Sequence, residues 1–435
     1  MISKVSKLAR LIVTPSTSLI DTKVAIQATG LKTYSPVTIR SVSEVETRFR
    51  KVMFEGYGHY IVDDDGVVSV PKQSSLGGTY TGSESMGLFW SMQPFRGQKL
   101  GTRFFVKDVT KPVTVNLSLH YGHLDTDALQ TAEPEATATS ERWYMSKNVE
   151  RIRVHSGRLR GALFKPKGAG PFPGVIDMFG AVGGLVEFRA AMLASRGLVC
   201  FALPHSLYED LPSKGNIDLE YFKEAIDWLS DQPFVKAGGV SMVGVSTGAQ
   251  FALATASHFP EKLRAVISIN GLHAQSEFPF KLNGKQMPFF KAPPEIMKPS
   301  SKFEGAKDAF GIHKEMYKVT GDHSAIYKLE NARQCHFLFI TGEADEVWDS
   351  CFGAREAATR LSRYGCSNYQ ILSYADAGHL IEVPYAPSVV TFFLPGYGVI
   401  VNGGSTVGNA KATEDSWSKI VRFLHVYGGC YNTAS

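Results

Sequence analysis

The sequence predicts two domains: a β-sandwich over residues 1–150 and a mostly parallel sheet covered by helices over residues 151–435. The length, 435 residues, exceeds what one hydrophobic core usually serves. From Leu11 to about Tyr144 the chain reads as short strands separated by turn residues, which is typical of a sandwich. After Val154 apolar strands alternate with helical segments, which is typical of a parallel sheet covered on both faces.

Apolar and polar residues alternate with a period of two along much of the first domain. We expect strands there at residues 23–27, 37–40, 67–70, 103–106 and 113–119, with no clear helix among them. Residues 125–139 read as an exposed loop. The domain shows no group of residues that could carry chemistry, and His59, His120 and His123 are expected to be ordinary strand or surface residues. We therefore expect the first domain to be a packing and positioning module.

The second domain alternates between strands and helices. The predicted strands are 160–164, 174–178, 199–203, 240–243, 265–269, 336–340 and 369–374, and the predicted helices are 185–195, 219–229, 251–257, 351–364 and 414–426. Residues 272–334 break the alternation with several prolines and no strong strand. Because an excursion from such a sheet usually covers the site, we expect residues 272–334, called the excursion below, to be a lid.

A G-x-S-x-G pattern joins the buried strand predicted at 240–243 to the following helix: Gly244-Val245-Ser246-Thr247-Gly248. A serine in this strand–turn–helix context is typical of the nucleophile elbow of the α/β-hydrolase fold. The two glycines leave space where strand and helix converge. The pattern alone would also suit a tight structural turn, so its interpretation depends on an acid and a histidine elsewhere.

A serine hydroxyl needs a base, and the base needs an orienting acid. The strand ending at residue 340 opens into a turn that contains Glu343 and Asp345, and the next strand ends before His379. We expect Asp345 to be the acid, with Glu343 as second choice, and His379 to be the base. Asp376 is expected to cap its loop and His336 to serve packing, while His273 and His323 are remoter candidates.

The oxyanion hole needs two backbone amides. The Thr247 amide follows the nucleophile at a helix N-terminus, where unpaired N–H groups favour a negative oxygen. Phe179–Gly184 lies between a strand and a helix and contains three glycines, so Gly180 and Ala181 are candidates for the second amide. A phosphate-cradling loop is the alternative, but no Gly-Lys-Ser/Thr follows.

Composition excludes several function classes. A net charge of +5 without a basic run argues against nucleic-acid binding, and no stretch reaches the roughly 20 apolar residues of a membrane span. The five cysteines are widely spaced without a C-x-x-C pair, so neither a disulfide framework nor a zinc site is indicated, and reduced thiols fit best. Lys4, Lys7 and Arg10 faintly suggest a transit peptide, but the strand pattern begins at Leu11 and the C-terminus is not a peroxisomal signal. We expect a cytoplasmic protein, with mitochondrial or peroxisomal location as alternatives and the oligomeric state open.

The sequence resembles the acyl-CoA thioesterase and bile acid-CoA:amino acid N-acyltransferase family over nearly its whole length. The matching blocks, in order, are Val13-Thr-Pro15, Leu19-Ile-Asp21, Met86-Gly-Leu-Phe-Trp90, Asp177-Met-Phe-Gly180, Gly183-Gly-Leu-Val-Glu-Phe-Arg189, Tyr208-Glu-Asp-Leu-Pro212, Ile269-Asn-Gly271, Gly378-His379, Ile381-Glu-Val-Pro-Tyr385 and Gly403-Gly404. A single block is weak evidence for the family, whereas all of the blocks in this order are highly specific for it. The excursion and residues from Gln370 onward agree only loosely.

The resemblance implies an immunoglobulin-like first domain and a triad of Ser246, Asp345 and His379. It further implies hydrolysis of fatty acyl-CoA to free fatty acid and CoA without cofactor or metal. Transfer of the acyl group to glycine or taurine is the alternative, and because amide-forming members commonly have cysteine as the nucleophile, Ser246 favours hydrolysis. A general carboxylesterase and a catalytically silent ligand-binding fold are the remaining alternatives.

Acyl-CoA would need a basic mouth for its phosphates and an apolar interior for its acyl chain. The excursion interleaves residues of both kinds: Lys281, Lys285, Lys291, Lys298 and Lys302 with Phe278, Phe280, Phe289 and Phe290. A solvated loop with a few packed aromatics is the alternative.

Overall fold

The computed structural model describes residues 8–46, 50–213, 217–276, 280–291, 293, 295 and 297–429. The chain divides into two compact units. The N-terminal unit is Met1–Tyr144 with Val383–Ser388, and the C-terminal unit is Met145–Glu382 with Val389–Ser435.

Two sheets make up most of the N-terminal unit within the described residues. Its strands and helix are β1 (Arg10–Thr14), β2 (Thr17–Leu19), β3 (Ala25–Thr29), β4 (Pro36–Glu46), β5 (Lys51–Ile61), β6 (Val68–Ser69), α1 (Gly87–Trp90), β7 (Gln93–Pro94), β8 (Val113–Tyr121) and β9 (Ala136–Trp143). One sheet has the order β2-β9-β8-β4-β5-β7 and the other the order β1-β3-β6. In β1 and β3 buried and exposed residues alternate, as period-two patterning predicts.

Three predictions for this unit are wrong. Residues 103–106 form no strand, and Phe104 instead packs edge-on against Phe54, with 5.1 Å between ring centroids. The expected loop 125–139 contains the start of β9, whose small and polar residues pair with β8. A short helix, α1, interrupts the strands, and all four of its residues are buried. In each case long-range packing or pairing overrides the local pattern.

The C-terminal unit alternates strands with helices and carries further short strands. Its elements are β10 (Val149–Ser156), β11 (Leu159–Pro166), β12 (Gly174–Met178), α2 (Phe188–Ser195), β13 (Val199–Ala202), β14 (Ile217–Asp218), α3 (Leu219–Ser230), β15 (Val240–Val245), α4 (Thr247–His258), β16 (Leu263–Ile269), β17 (Phe280–Leu282), β18 (Lys285–Gln286), β19 (Lys298–Pro299), β20 (Ala306–Asp308), α5 (Phe310–Met316), β21 (His336–Gly342), α6 (Ser350–Arg363), β22 (Tyr369–Tyr374), β23 (Thr391–Leu394), β24 (Gly398–Val401) and α7 (Thr406–Tyr427).

The main sheet of this unit, within the described residues, has eight strands in the order β10-β11-β13-β12-β15-β16-β21-β22. The β10–β11 and β11–β13 pairs are antiparallel, and the pairs from β13 to β22 are parallel. This order, with one antiparallel strand near the start and a single swap of neighbours, is the α/β-hydrolase fold. The central strands β12, β15 and β16 are almost entirely buried, as expected for a sheet covered on both faces.

Aromatic rings join helices to the excursion in the core of the C-terminal unit. Phe251 of α4 stacks on Phe222 of α3, with ring centroids 5.0 Å apart. Phe280 of the excursion also packs against Phe251, with ring centroids 5.0 Å apart, and is fully buried. The excursion is thus anchored in the core at its start.

The excursion and the segment after His379 share a second, smaller sheet. Strand β20 pairs with β24 in parallel and with β19 antiparallel, and β24 pairs with β23. Because β24 ends at Val401, this sheet leads directly into Asn402, Gly403 and Gly404.

Three helices differ in extent from the predictions. Helix α4 begins at Thr247, four residues before the expected start. Helix α2 begins at Phe188, three residues after the expected start. Helix α7 begins at Thr406, eight residues before the expected start, because the Ser405 side chain caps it by accepting a hydrogen bond from the Gly408 amide. These first eight residues were not predicted as helix because they include glycine and asparagine, which are poor helix formers.

Candidate active site

Ser246 lies at the turn between β15 and α4. Its φ of 59° and ψ of −127° are strained for a residue with a side chain. The Ser246 amide donates to the Ile269 carbonyl over 2.9 Å, which fixes the turn to the neighbouring strand. A Cβ on Gly244 would lie 2.2 Å from the Gly248 carbonyl oxygen, and one on Gly248 would lie 2.5 Å from that of Phe179. Both positions therefore require glycine.

His379 and Asp345 meet the serine in a single chain of hydrogen bonds. His379 Nε2 lies 2.8 Å from Ser246 Oγ, and His379 Nδ1 lies 2.9 Å from Asp345 Oδ2. All three residues are buried, with at most 7% of their surface exposed. Since the carboxylate can only accept, Nδ1 carries the proton and Nε2 is left to accept from the serine hydroxyl. This is the geometry of a Ser-His-Asp triad.

The second carboxylate oxygen of Asp345 is held by backbone amides. Asp345 Oδ1 accepts from the amides of Val347 at 2.8 Å and Trp348 at 3.1 Å. The Trp348 ring meets the His379 ring edge to face, with centroids 5.0 Å apart. The acid is thereby oriented with Oδ2 toward the imidazole, and the imidazole is fixed in its plane.

Two buried asparagines, which the sequence reasoning missed as functional residues, hold the loops of the acid and the base. Asn270 Nδ2 donates to the carbonyls of Gly378 at 3.0 Å and His379 at 2.7 Å, and its Oδ1 accepts from the Gly342 amide. The Asn402 carbonyl accepts from the His379 amide at 2.8 Å, and its Oδ1 accepts from the Leu380 amide. Asn270 directly follows β16, so a polar residue at the carboxyl end of a buried strand was the available signal.

The structure places the other polar candidates away from Ser246. Glu343 accepts from Ser373 Oγ at 2.7 Å on the exposed side of its turn, and Asp376 accepts from the Ser405 hydroxyl. His273 donates to the Val319 carbonyl, and burial lowers its pKa to about 4. His336 stacks on Tyr427, and His323 accepts from the Ala325 amide.

The oxyanion candidates lie close to the nucleophile. A Cβ on Gly180 would lie 3.1 Å from Ser246 Cβ and 3.4 Å from Ser246 Oγ, so the Gly180 backbone lies against the serine. In the part of the chain that the structure describes, the amides of Thr247 and Ala181 donate to no protein acceptor. Two free amides beside a nucleophile can hold the negative oxygen of a tetrahedral intermediate.

A buried ion pair supports the strand that leads into this loop. Arg189 Nε lies 2.6 Å from Asp177 Oδ1, and Arg189 Nη2 donates to the Met178 carbonyl at 2.9 Å. Both side chains are at most 3% exposed. The pair ties the end of β12 to α2, on either side of the segment 179–184.

The excursion residues predicted to contact acyl-CoA lie in different environments. Lys285, Lys291, Lys298 and Lys302 are exposed, and Lys302 pairs with Glu346, next to Asp345. Phe280 is buried in the core, Phe290 packs against a small apolar cluster, and Phe289 is 38% exposed. Phe278 lies outside the described residues.

The described residues contain no group of three or more histidine, cysteine, aspartate or glutamate side chains that could hold a metal ion. None of their helices is both long enough and apolar enough to span a membrane. Cys200, Cys335, Cys351 and Cys366 are free thiols, and Cys430 lies outside the described residues.

Comparison with known families and proteins gave matches along the chain. A model of the BAAT/acyl-CoA thioester hydrolase C-terminal region matches residues 217–428, and one of the acyl-CoA thioester hydrolase/BAAT N-terminal region matches residues 21–156. Bile acid-CoA:amino acid N-acyltransferase from Homo sapiens is 39% identical, covering 95% of this chain and 97% of its own length. From Mus musculus, acyl-coenzyme A amino acid N-acyltransferase 2 is 38% identical, with coverage of 95% and 97%, and acyl-coenzyme A thioesterase 5 is 35% identical, with coverage of 93% of each chain.

Proposed function

The chain belongs to the acyl-CoA thioester hydrolase/BAAT family, and from that premise we propose that it hydrolyses fatty acyl-CoA to free fatty acid and CoA through an acyl-serine intermediate. The observation that carries the proposal is the hydrogen-bond chain from Ser246 through His379 to Asp345, beside two amides that have no acceptor in the described part of the chain. The relatives, which bear both thioesterase and N-acyltransferase names, support acyl-CoA as the shared substrate class.

In the first half of the reaction His379 Nε2 takes the proton of Ser246 as Oγ attacks the thioester carbonyl carbon. The carbonyl oxygen becomes negative and is held by the Thr247 amide and the Gly180–Ala181 backbone. When the intermediate collapses, the carbon–sulfur bond breaks and CoA leaves as a thiol, carrying the proton from His379. Asp345 stays ionised throughout and stabilises the imidazolium that forms between these steps.

In the second half, water enters where the CoA sulfur was. His379 takes a proton from the water, the resulting hydroxide attacks the serine ester, and the second intermediate collapses with return of that proton to Ser246 Oγ. The product is the free carboxylic acid. This sequence uses each triad member twice and needs no other reactant.

Serine favours water over an amine as the acceptor. A thioester of cysteine reacts readily with amines, whereas an oxygen ester of serine reacts with them much more slowly relative to water. Transfer to an amino acid is the second candidate because relatives named N-acyltransferases are 36–39% identical, against 34–35% for relatives named thioesterases. That difference is small over chains of this length, so the chemistry of the nucleophile decides our preference.

Product analysis tests the proposal. The purified chain is incubated with a series of acyl-CoAs of increasing length, with and without glycine or taurine, and free acid, amide and CoA thiol are quantified. We expect one CoA thiol per free acid, unchanged by added amine. Dominant amide would establish the transferase, and turnover of nitrophenyl esters without discrimination among acyl-CoAs would establish a general carboxylesterase.

We also propose an immunoglobulin-like β-sandwich for residues 1–150, a hydrolase domain for residues 151–435 and a cytoplasmic location. The two sheets of the N-terminal unit and the family match at residues 21–156 support the first. An experimental structure of the N-terminal unit tests the fold, and cell fractionation with identification of the N-terminal residue tests the location. Recovery of a shortened chain in mitochondria would contradict the latter.

A further inference from the structure

The carbonyl of Gly180, whose backbone lies against the nucleophile, is held by a histidine outside the triad. His205 Nε2 lies 3.1 Å from the Gly180 carbonyl oxygen. In a trans peptide the carbonyl and the next amide point in opposite directions. With the Gly180 carbonyl directed to His205, the Ala181 N–H is directed away from His205. The contact thus fixes the orientation of one proposed oxyanion donor.

The orientation of the His205 ring is itself determined. Because a carbonyl can only accept, Nε2 carries the proton, and in the neutral ring Nδ1 accepts from Ser206 Oγ at 3.1 Å. The ring also meets Phe251 of α4 nearly edge-on, with centroids 4.7 Å apart. His205 is only 6% exposed and Ser206 is fully buried. The His205 ring is therefore held by its contacts with Gly180, Ser206 and Phe251.

The next residue binds the other end of the oxyanion loop. The Ser206 carbonyl accepts from the Gly184 amide at 2.8 Å. Gly183, with a φ of +67°, lies so close that an added Cβ would be 2.9 Å from Ser206 Oγ. His205 and Ser206 together bind the segment from Gly180 to Gly184 at both ends, while the Ala181 amide between them has no partner among the residues that the structure describes.

The loop that carries His205 has a strained and anchored backbone. Leu207 and Glu209 have φ values of 55° and 50°, which side chains rarely adopt. Such conformations persist where the surroundings determine them, and they cluster at functional sites. Here Arg160 forms two hydrogen bonds with Asp210, at 2.6 and 2.7 Å, and Arg153 binds Glu209.

We propose that His205 is a positioning residue that sets the oxyanion hole by holding the Gly180 carbonyl, so that the Ala181 amide faces the developing negative oxygen. The inference rests on the proposed function, since it presupposes attack by Ser246. His205 touches no reacting atom and acts through the Gly180–Ala181 peptide. Its effect belongs to the transition state, where the oxygen is charged, rather than to substrate binding.

The test compares His205→Leu, which removes the donor, with His205→Gln, whose side-chain amide can still donate to Gly180. His123→Leu is the matched control, because His123 Nε2 also donates to a carbonyl, that of Tyr60, over 3.1 Å, but in the N-terminal unit. Four quantities are measured: kcat and KM for an acyl-CoA, the inhibition constant of an acyl trifluoromethyl ketone, active sites titrated with a fluorophosphonate, and Tm. Ser246→Ala is assayed alongside.

We expect His205→Leu to lower kcat per titrated site about 10- to 100-fold, less than the roughly 10²- to 10³-fold of a deleted donor, with KM within about threefold. The ketone, which forms an oxyanion on Ser246, should bind weaker by the same factor. His205→Gln should stay within about fivefold of the parent in both, and His123→Leu should leave both unchanged.

A merely structural role would lower Tm and the titrated fraction but leave kcat per site and ketone binding as they were, and that result would overturn the inference. Failure of His205→Gln to recover activity at unchanged Tm would also overturn it. If Ser246→Ala is inactive while His205→Leu is normal, only this inference fails. If Ser246→Ala keeps its activity, the proposed function fails.

Discussion

The carboxyl edge of the eight-stranded sheet and the excursion over residues 272–334 differ in how firmly their side chains are held. At the edge, Ser246, Asp345 and His379 are buried and joined by hydrogen bonds of 2.8 and 2.9 Å. In the excursion, strands are two or three residues long and most lysines are exposed. The edge can therefore fix reacting atoms, whereas exposed charges of the excursion can only attract or repel a substrate.

The comparison predicts different kinetic signatures. Changes at the edge should lower kcat and be insensitive to salt, because they act on charge that develops in a water-excluded site. Changes at excursion lysines should raise KM and depend on salt, because exposed charges are screened. The two regions meet where β20 pairs with β24 and the Asn402 carbonyl accepts from the His379 amide. Variants of each region, taken in order of expected effect, test how separate they are.

The largest effect is expected from the nucleophile and the base. Ser246→Ala and His379→Ala should each lower kcat by about 10⁴-fold or more with the fold intact. Ser241→Ala is the control, since Ser241 is a fully buried serine of β15, the strand that leads to Ser246, and its hydroxyl has no partner among the described residues. Steady-state kinetics and thermal unfolding are measured. Unchanged activity in Ser246→Ala would support a catalytically silent fold.

The next largest effect on kcat is expected from the acid, Asp345. In Asp345→Asn an amide nitrogen can face His379 Nδ1–H, which disfavours the tautomer that accepts from Ser246, so kcat should fall about 10⁴-fold. Glu343→Gln should change kcat less than twofold, because Glu343 only accepts from Ser373 at the exposed side of the turn. A severe loss in Glu343→Gln together with a mild one in Asp345→Asn would reverse the assignment.

An intermediate effect is expected at Asn270, which joins the loops of acid and base. Asn270→Gly keeps the left-handed backbone, at a φ of 47°, but leaves the Gly378 and His379 carbonyls without their donor. We expect a loss of about 2–4 kcal/mol in the free energy of unfolding and, from a base held less firmly, a 10- to 100-fold lower kcat. Urea unfolding and kinetics measure both.

The excursion offers a matched control for this change. Asn283 has a φ of 51° and lies exposed between β17 and β18, so Asn283→Gly makes the same substitution at the same backbone conformation. It should leave kcat unchanged and alter stability by less than about 0.5 kcal/mol. Equal losses of kcat in the two variants would show that the edge and the excursion do not act separately.

Sequence reasoning reached the parts of the site whose chemistry lies in side chains on regular elements. The glycines around Ser246 and the strand ends before Asp345 and His379 are local patterns, and the structure brings these residues together. Asn270, Asn402 and His205 were not identified as functional because each acts on backbone atoms distant in sequence. The short strands of the excursion were not predicted for a similar reason, since β20 owes its conformation to pairing with β24, some 90 residues later. A strand of two or three residues has no readable period.

The smallest effect is expected from the exposed lysines of the excursion, and it tests whether that region meets CoA at all. The double variant Lys285→Glu/Lys298→Glu reverses two exposed charges and leaves intact the Lys302–Glu346 pair beside Asp345. If these lysines attract the CoA phosphates, KM for acyl-CoA should rise about three- to tenfold at low salt and much less above 0.1 M salt, where charges are screened over about 10 Å. The value of kcat should not change, and neither should KM for a neutral nitrophenyl ester.

The control is the double variant Lys72→Glu/Lys99→Glu, which applies the same change in net charge to exposed lysines of the N-terminal unit. It separates a local effect from that of overall charge. A rise in KM that is equal in both double variants, or equal for the neutral ester, would remove the excursion from the CoA-binding surface.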